Sequence, residues 1–299
     1  MSTQRASRDT AATGAASQDS LVRRRPVLVF LLFALGLGWL ILGLALLVGI
    51  PIVPVPLLLA MFGVLLPAAL VVTRRADGPG AVRRLLRRTL IWRFGRVRWA
   101  VVLFGVPVLT LAFAAVSGTL VTPDDGWLRE IGTYLFSTLI IGLLVLNIWE
   151  ELVWGGFLQS RLMAGRGLLV GSLVTAMFFA AIHVPLAFED QDGWTDIAIA
   201  LAVLFVMAPV YRYLLGMHLL DTRGSILAIG VQHASWNAYQ NLGSVDGGTT
   251  EWQVLAAVAT LTALVALERR RRAQRSASDP ETEKATAAGW LEERADDAP

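Results

Sequence analysis

The chain has 299 residues, 55% of them hydrophobic and only 16% charged, whereas a soluble domain carries about 45–50% apolar and about 25% charged residues. Its mean hydropathy of +0.60 comes from apolar runs of the ~20 residues needed to cross a bilayer. These exclude a water-soluble domain, and the composition also excludes a disordered scaffold, a collagen-like fibre and a nucleic-acid-binding module. The absence of cysteine removes disulfides, thiolate metal sites, iron–sulfur clusters and thiol catalysis.

Residues 1–22 are small and polar with scattered arginines and read as a disordered tail. Arg23, Arg24 and Arg25 precede an apolar run from Pro26 to about Gly49. That run is too long for a signal-peptide core, lacks a small-residue cleavage site and leads into a second span, so it reads as a retained membrane helix. Apolar length and the punctuation between runs predict an all-α, polytopic membrane bundle of eight transmembrane helices. They are placed near 27–48, 54–73, 98–120, 132–163, 167–187, 195–217, 224–243 and 252–267. In terms of organisation, 23–130 holds three helices and a basic loop, 131–245 the core, 246–272 the last helix and 273–299 a second disordered tail.

The net charge of +3 and pI near 9.8 follow from where the arginines fall. With the N-terminus in the cytoplasm, the 74–98 loop lies inside with Arg74, Arg75, Arg83, Arg84, Arg87, Arg88, Arg93, Arg96 and Arg98. Arg161, Arg166, Arg212, Arg223 and the run Arg269 to Arg272 fall on the same side. The loops left outside carry Asp124, Asp125, Glu189, Asp190, Asp192, Asp246 and Glu251. Every connection obeys the positive-inside rule, which predicts a plasma-membrane protein with both termini cytoplasmic.

The run 132–163 is longer than a bilayer requires, so it must tilt or project. Gly165, Arg166 and Gly167 read as the turn after it. Glu150 lies fifteen residues before Gly165, and His183 sixteen after Gly167. In an antiparallel helix pair, spacing alone therefore brings a carboxylate and an imidazole to the same depth.

Glu150 and Glu151 interrupt an apolar helix, and an ionisable side chain at that depth costs about 2.5–3.5 kcal/mol on insertion scales. A functional site facing the bundle interior is the first reading; a structural ion pair is the plain alternative. His183 follows Phe179 by one turn, and His233 and Asn237 share a face at i, i+4 with Trp236 beside them. A packing histidine and interhelical hydrogen-bond glue are the corresponding structural readings. His218, next to Asp221, reads as an interfacial or loop residue, while Asn147 and Gln159 flank the glutamates without a distinguishing signal. Together, Glu150, Glu151, His183, His233 and Asn237 offer what amide hydrolysis by water needs. A carboxylate can take a proton from water and return it to the leaving amine, an imidazole can orient that water, and a second imidazole and an amide can face the oxyanion. The ligand types also fit a divalent metal such as zinc, although no His-Glu-x-x-His sequence is present. The spacing leaves open the choice between a bound metal and a glutamate-activated water, which needs no cofactor.

These residues resemble the CAAX protease and bacteriocin-processing family of intramembrane proteases, also called the abortive-infection family, whose eukaryotic relative is the Ras-converting CAAX endopeptidase. The family pattern is Glu-Glu-x-x-x-Arg, then Phe-x-x-x-His, then His-x-x-x-Asn on successive helices. Here it reads Glu150-Glu151-Leu152-Val153-Trp154-Gly155, then Phe179 to His183, then His233 to Asn237. The resemblance covers roughly 130–245. It implies a site inside the membrane that opens toward the cytoplasm, with Glu150 and His183 activating water, His233 and Asn237 forming the oxyanion hole, and Glu151 in support. The implied activity is that of a glutamate-type or metallo-endopeptidase acting on a membrane-associated protein or peptide, with the lipid bilayer as its other partner. Gly155 departs from the pattern, standing where the family has arginine, and Arg161 is too far along the helix to replace it directly. A catalytically inactive member that binds membrane partners is the alternative this departure supports. A small transporter is a third, against which stands the absence of paired halves or broken helices.

Overall fold

The computed structural model describes residues 21–189, 193–238, 243–245 and 250–277. The expected tails over 1–20 and 278–299, and the loop acids Asp190, Asp192 and Asp246, lie outside the described residues.

Helices account for the described chain. After one turn at Leu21–Arg24, α1 spans Pro26–Leu47, α2 Val55–Asp77, the short α3 Ala81–Arg87 and α4 Arg96–Ser117. Two arms follow, α5 over 127–166 and α6 over 168–183, then α7 Trp194–Asp221, α8 Ile226–Asn237 and α9 Thr250–Ala277. Leu21 and Val22, the end of the expected N-terminal tail, are helical, and α9 runs five residues beyond 272. No strand occurs among the described residues; an isolated bridge joins Leu120 to Val245.

Among the described residues, six helices are long and apolar enough to cross a membrane. The other two of the eight expected helices do not separate by that criterion, for physical reasons. The fourth and fifth runs form one 62-residue stretch, Trp127–Phe188, which reverses at Gly167, where φ is +75° and ψ 171°. Only glycine adopts such a backbone without strain. Contacts across the turn nest around it: Gln159 with Ser172, Trp154 with Phe179, Glu150 with His183. The two arms are therefore antiparallel. The seventh run is a 12-residue helix, α8, only ~18 Å long at ~1.5 Å per residue and buried along most of its length.

Within the best apolar window of each of the six spans, only 22–39% of residues are buried. Large apolar side chains such as Leu32, Val116 and Val206 point outward at 63%, 89% and 65% exposure. A bundle in water could not leave so much apolar surface uncovered; lipid is the solvent that suits it. The chain is a multi-pass membrane protein. Its interior is built around Trp154, which meets Phe30 and Phe179 edge-on with centroids 6.0 and 5.6 Å apart.

The bundle has two chemically different ends. At one, Arg98 pairs with Asp221 at 3.0 Å and Glu268 at 3.3 Å, Arg269 and Arg272 close on the same Asp221, and Arg161 pairs with Asp77. Arg88 donates to the carbonyls of Gly224 at 2.8 Å and Gly156 at 3.0 Å and to Ser160 Oγ at 3.0 Å. Burial, and then the nearby Arg161, lower its guanidinium to about 10, so it stays charged at neutral pH. At the other end Glu189 accepts from the Ile52 amide, Glu130 accepts from Ser244, and Val121 bonds to the Ser244 carbonyl.

Candidate active site

Along α5, two stretches of wide, π-type winding over Ser137–Asn147 and Leu152–Gln159 flank the single α-turn Ile148–Glu151 that carries both glutamates. Such departures from regular winding are frequent at functional sites. Consecutive residues on a helix diverge by about 100°, so Glu150 and Glu151 look in different directions, and the structure gives each its own partners.

Glu150 faces a cavity of about 700 Å³ that His183, His233 and Asn237 also line. The four side chains that the sequence singles out by depth and helix face therefore converge. Glu150 Oε1 lies 3.4 Å from His183 Nε2, and Oε2 lies 4.0 Å from His233 Nδ1. His183 Nδ1 is 2.7 Å from the Phe179 carbonyl. A carbonyl only accepts, so Nδ1 carries a hydrogen and donates it, which turns Nε2 toward Glu150. The Phe179 ring also stacks against His183, 4.4 Å between centroids, so the Phe-x-x-x-His spacing holds the imidazole by one hydrogen bond and one ring contact.

Asn237 is exposed to the cavity, and its Nδ2 donates to Asn147 Oδ1 at 3.4 Å. Asn147 Nδ2 in turn donates to Glu150 Oε2 at 3.5 Å. Asn147, unremarkable in the sequence, thus links a carboxylate on α5 to an amide on α8.

Glu151 is fully buried beneath this layer. Its Oε1 accepts from His233 Nδ1 at 2.8 Å and from Arg212 Nη1 at 2.8 Å, and its Oε2 accepts from the same Nη1 at 3.0 Å. Arg212, on α7, is itself 0% exposed. Its Nε and Nη2 donate to Gln159 Oε1 at 3.0 and 2.6 Å, while Gln159 Nε2 donates to the Arg212 carbonyl at 2.7 Å and to Ser172 Oγ at 3.0 Å. The guanidinium also sits 5.3 Å from the centre of the Phe179 ring. Burying a charge is tolerable only when it is paired and hydrogen-bonded in this way.

Two glycines make the network possible by close approach. A Cβ on Gly155 would lie 2.3 Å from Ile229 Cδ1, 2.8 Å from Glu151 Oε2 and 3.6 Å from Arg212 Nη2. A Cβ on Gly216 would lie 2.6 Å from Gln159 Nε2 and 2.7 Å from Ser172 Oγ. The arginine absent at 155 is thus matched by one entering from another helix, with its guanidinium beside the vacated position.

Several expectations need correction. Arg212 is not a cytoplasmic loop charge: it lies inside α7 and is buried in the site. The signal that finds it is the one that finds the glutamates, an ionisable residue inside an apolar span. His218 is not a loop residue: it lies in the last turn of α7 and is 0% exposed. Gln159 braces the arginine, and Arg161 points away, to Asp77 and over the Phe157 ring. Among the described residues, no group of three or more His, Asp or Glu side chains is arranged to hold a metal ion. His233 is already committed at Nδ1 to Glu151.

Residues 132–239 match the family model for type II CAAX prenyl endopeptidases, Rce1-like. The matched segment spans α5 to α8 and includes every residue of the network just described. No curated protein matches the chain.

Proposed function

We propose, from the match of residues 132–239 to the type II CAAX prenyl endopeptidase family model, that the chain is an intramembrane endopeptidase using a glutamate-activated water. It would cut a peptide bond of a membrane-associated protein or peptide. The reading places it in the plasma membrane with both termini in the cytoplasm and no nucleic-acid partner. The observation that carries the mechanism is the convergence of Glu150, His183, His233 and Asn237 on one cavity.

The roles follow from the contacts. Glu150 takes a proton from a water held between its carboxylate and His183 Nε2, and the hydroxide adds to the scissile carbonyl carbon. The resulting oxyanion faces the Asn237 amide and His233, whose Nε2 is a donor when the ring carries both protons and Nδ1–H stays on Glu151. Glu150 then delivers its proton to the leaving nitrogen, the C–N bond breaks, and a carboxylate and an amine are released. A positioned acid–base group contributes typically ~10²–10⁴ in rate, and an oxyanion donor ~10²–10³.

Gly155 does not favour the inactive, partner-binding reading, because a guanidinium does reach Glu151, from Arg212. Glu151 and Arg212 hold His233 from below; they support the reacting groups rather than touch substrate.

The test is cleavage by the purified chain, reconstituted in lipid vesicles, of a membrane-anchored peptide. Glu150→Gln removes cleavage in this mechanism, and a chelator that strips divalent ions leaves it intact. Loss of activity to the chelator with recovery on adding zinc would replace the water-only mechanism with a metal-assisted one. An active Glu150→Gln would reject both.

A further inference from the structure

We infer that the catalytic cavity is entered from the extracytoplasmic side, so that the bond presented to Glu150 belongs to an extracytoplasmic segment of a membrane-anchored polypeptide. The inference rests on the proposed protease reading for the identity of the substrate, and on geometry and charge for the direction of entry. It departs from the cytoplasmic opening that the family resemblance implies.

The lining residues all come from one half of the bundle. On α7 they run along one face from Asp196 through Ala200, Val203 and Met207 to Tyr211 and stop there. A spacing of three or four residues keeps them on one stripe. Before and within α2 they run from Val53 through Leu57 and Met61 to Leu65, and stop. On α6 and just beyond it they are Phe179, Ile182, His183 and Leu186, toward its C-terminal end. None of the described lining residues falls within 66–98, 155–178 or 212–232, the stretches that hold the basic end and the buried layer above it.

On that basic side the cavity is sealed. The layer under Glu150 consists of Glu151, Arg212, Gln159 and Ser172, each 0% exposed, packed with Trp154 and Phe157, also 0% exposed. A peptide arriving from the basic end would have to dismantle a buried ion pair. Toward the other end, Asn237 and Asp196 are exposed, and Val53 is 53% exposed.

The charges give the ends their sides. Arg23, Arg74, Arg83, Arg98, Arg166 and Arg269 stand for a basic set at the sealed end, where Arg98 and Arg269 pair with Asp221 and Arg161 with Asp77. The open end carries Asp124, Asp125, Glu130, Glu189 and Asp196, with Arg129 paired to Asp125 at 3.1 Å. Lysine and arginine in short loops mark the cytoplasmic face. The sealed end is therefore cytoplasmic and the open end extracytoplasmic.

The chain contains no cysteine, so single cysteines report access without background. Asp196→Cys at the mouth, Met207→Cys deep in the cavity and Arg83→Cys in the basic loop are treated in intact cells with a small membrane-impermeant maleimide, before and after permeabilisation. The expected result is labelling of Asp196→Cys and Met207→Cys in intact cells, and of Arg83→Cys only after permeabilisation. Labelling of Arg83→Cys from outside would overturn the orientation. Labelling of Met207→Cys only from the cytoplasm, or from neither side, would overturn the route of entry. The readout does not depend on peptide cleavage, so failure of the protease reading and failure of this inference are separately visible. Equal membrane levels of the variants and the parent chain guard against misfolding.

Discussion

Arg212 Nη1 lies 2.8 Å from one oxygen of Glu151 and 3.0 Å from the other, although the two residues are 61 positions apart and sit on different helices. The pattern that the chain resembles has an arginine at the position of Gly155, on the helix that carries the glutamates; here a guanidinium reaches Glu151 from α7, and Gly155 leaves the space open. Removing one partner of a buried pair leaves the other charge uncompensated, at a cost of about 3–5 kcal/mol. Arg212→Leu should lower the unfolding temperature of the chain in detergent and remove cleavage, and Arg212→Lys should keep part of the stability and little of the activity. A lysine cannot serve Glu151 and Gln159 at once. Thermal unfolding with parallel cleavage assays checks both.

If the role of the guanidinium is to hold Glu151, its helix of origin should be exchangeable. Arg212→Ala combined with Ile229→Ala should be nearly inactive. Adding Gly155→Arg to that pair should restore cleavage at least tenfold, since Ile229 Cδ1 is the closest obstacle to a side chain at 155. Absence of any recovery, with normal insertion and unfolding, would mean that Arg212 does something an arginine at 155 does not.

Gly155→Ala alone should also be harmful. The added methyl meets Ile229 and Glu151, and overpacking a fixed core typically costs about 1–3 kcal/mol. The expected outcome is a destabilised chain with a lower kcat, whereas Gly36→Ala, with nothing within 4 Å of its Cβ, should be silent.

Asn237→Ala is expected to lower kcat by ~10²–10³ while leaving thermal stability almost unchanged, because the side chain is exposed to the cavity. Asn147→Ala, which removes the link between Glu150 and Asn237 without touching substrate, should cost about tenfold, in keeping with ~1.5 kcal/mol for one hydrogen bond to a charged group. Steady-state kinetics on a reconstituted peptide distinguishes them: a loss in KM alone at either position would argue for substrate binding instead.

Much of the site was legible because membrane burial makes polar residues expensive. Glu150, Glu151, His183, His233 and Asn237 stand out against apolar runs, and counting from the Gly167 turn sets Glu150 level with His183. Arg212 was missed for a specific reason: near a span end, an arginine is readily attributed to the cytoplasmic loop, and only packing shows that its chain turns inward. Asn147 and Gln159 could not be found by residue type, since their importance lies in which neighbours their two-sided amides join. The count of eight is not settled by length at two places, the merged hairpin of α5 and α6 and the short buried α8. The direction in which the cavity opens has no signature in spacing and emerges only once both ends of the bundle are assembled.

The most direct measurement compares the termini of membrane-protein fragments in cells making the parent chain with those in cells making Glu150→Gln at equal membrane levels. The account expects new termini with the parent chain alone, arising from extracytoplasmic segments close to a membrane anchor. Identical fragment sets from the two, with both proteins correctly inserted, would contradict peptide-bond hydrolysis at Glu150.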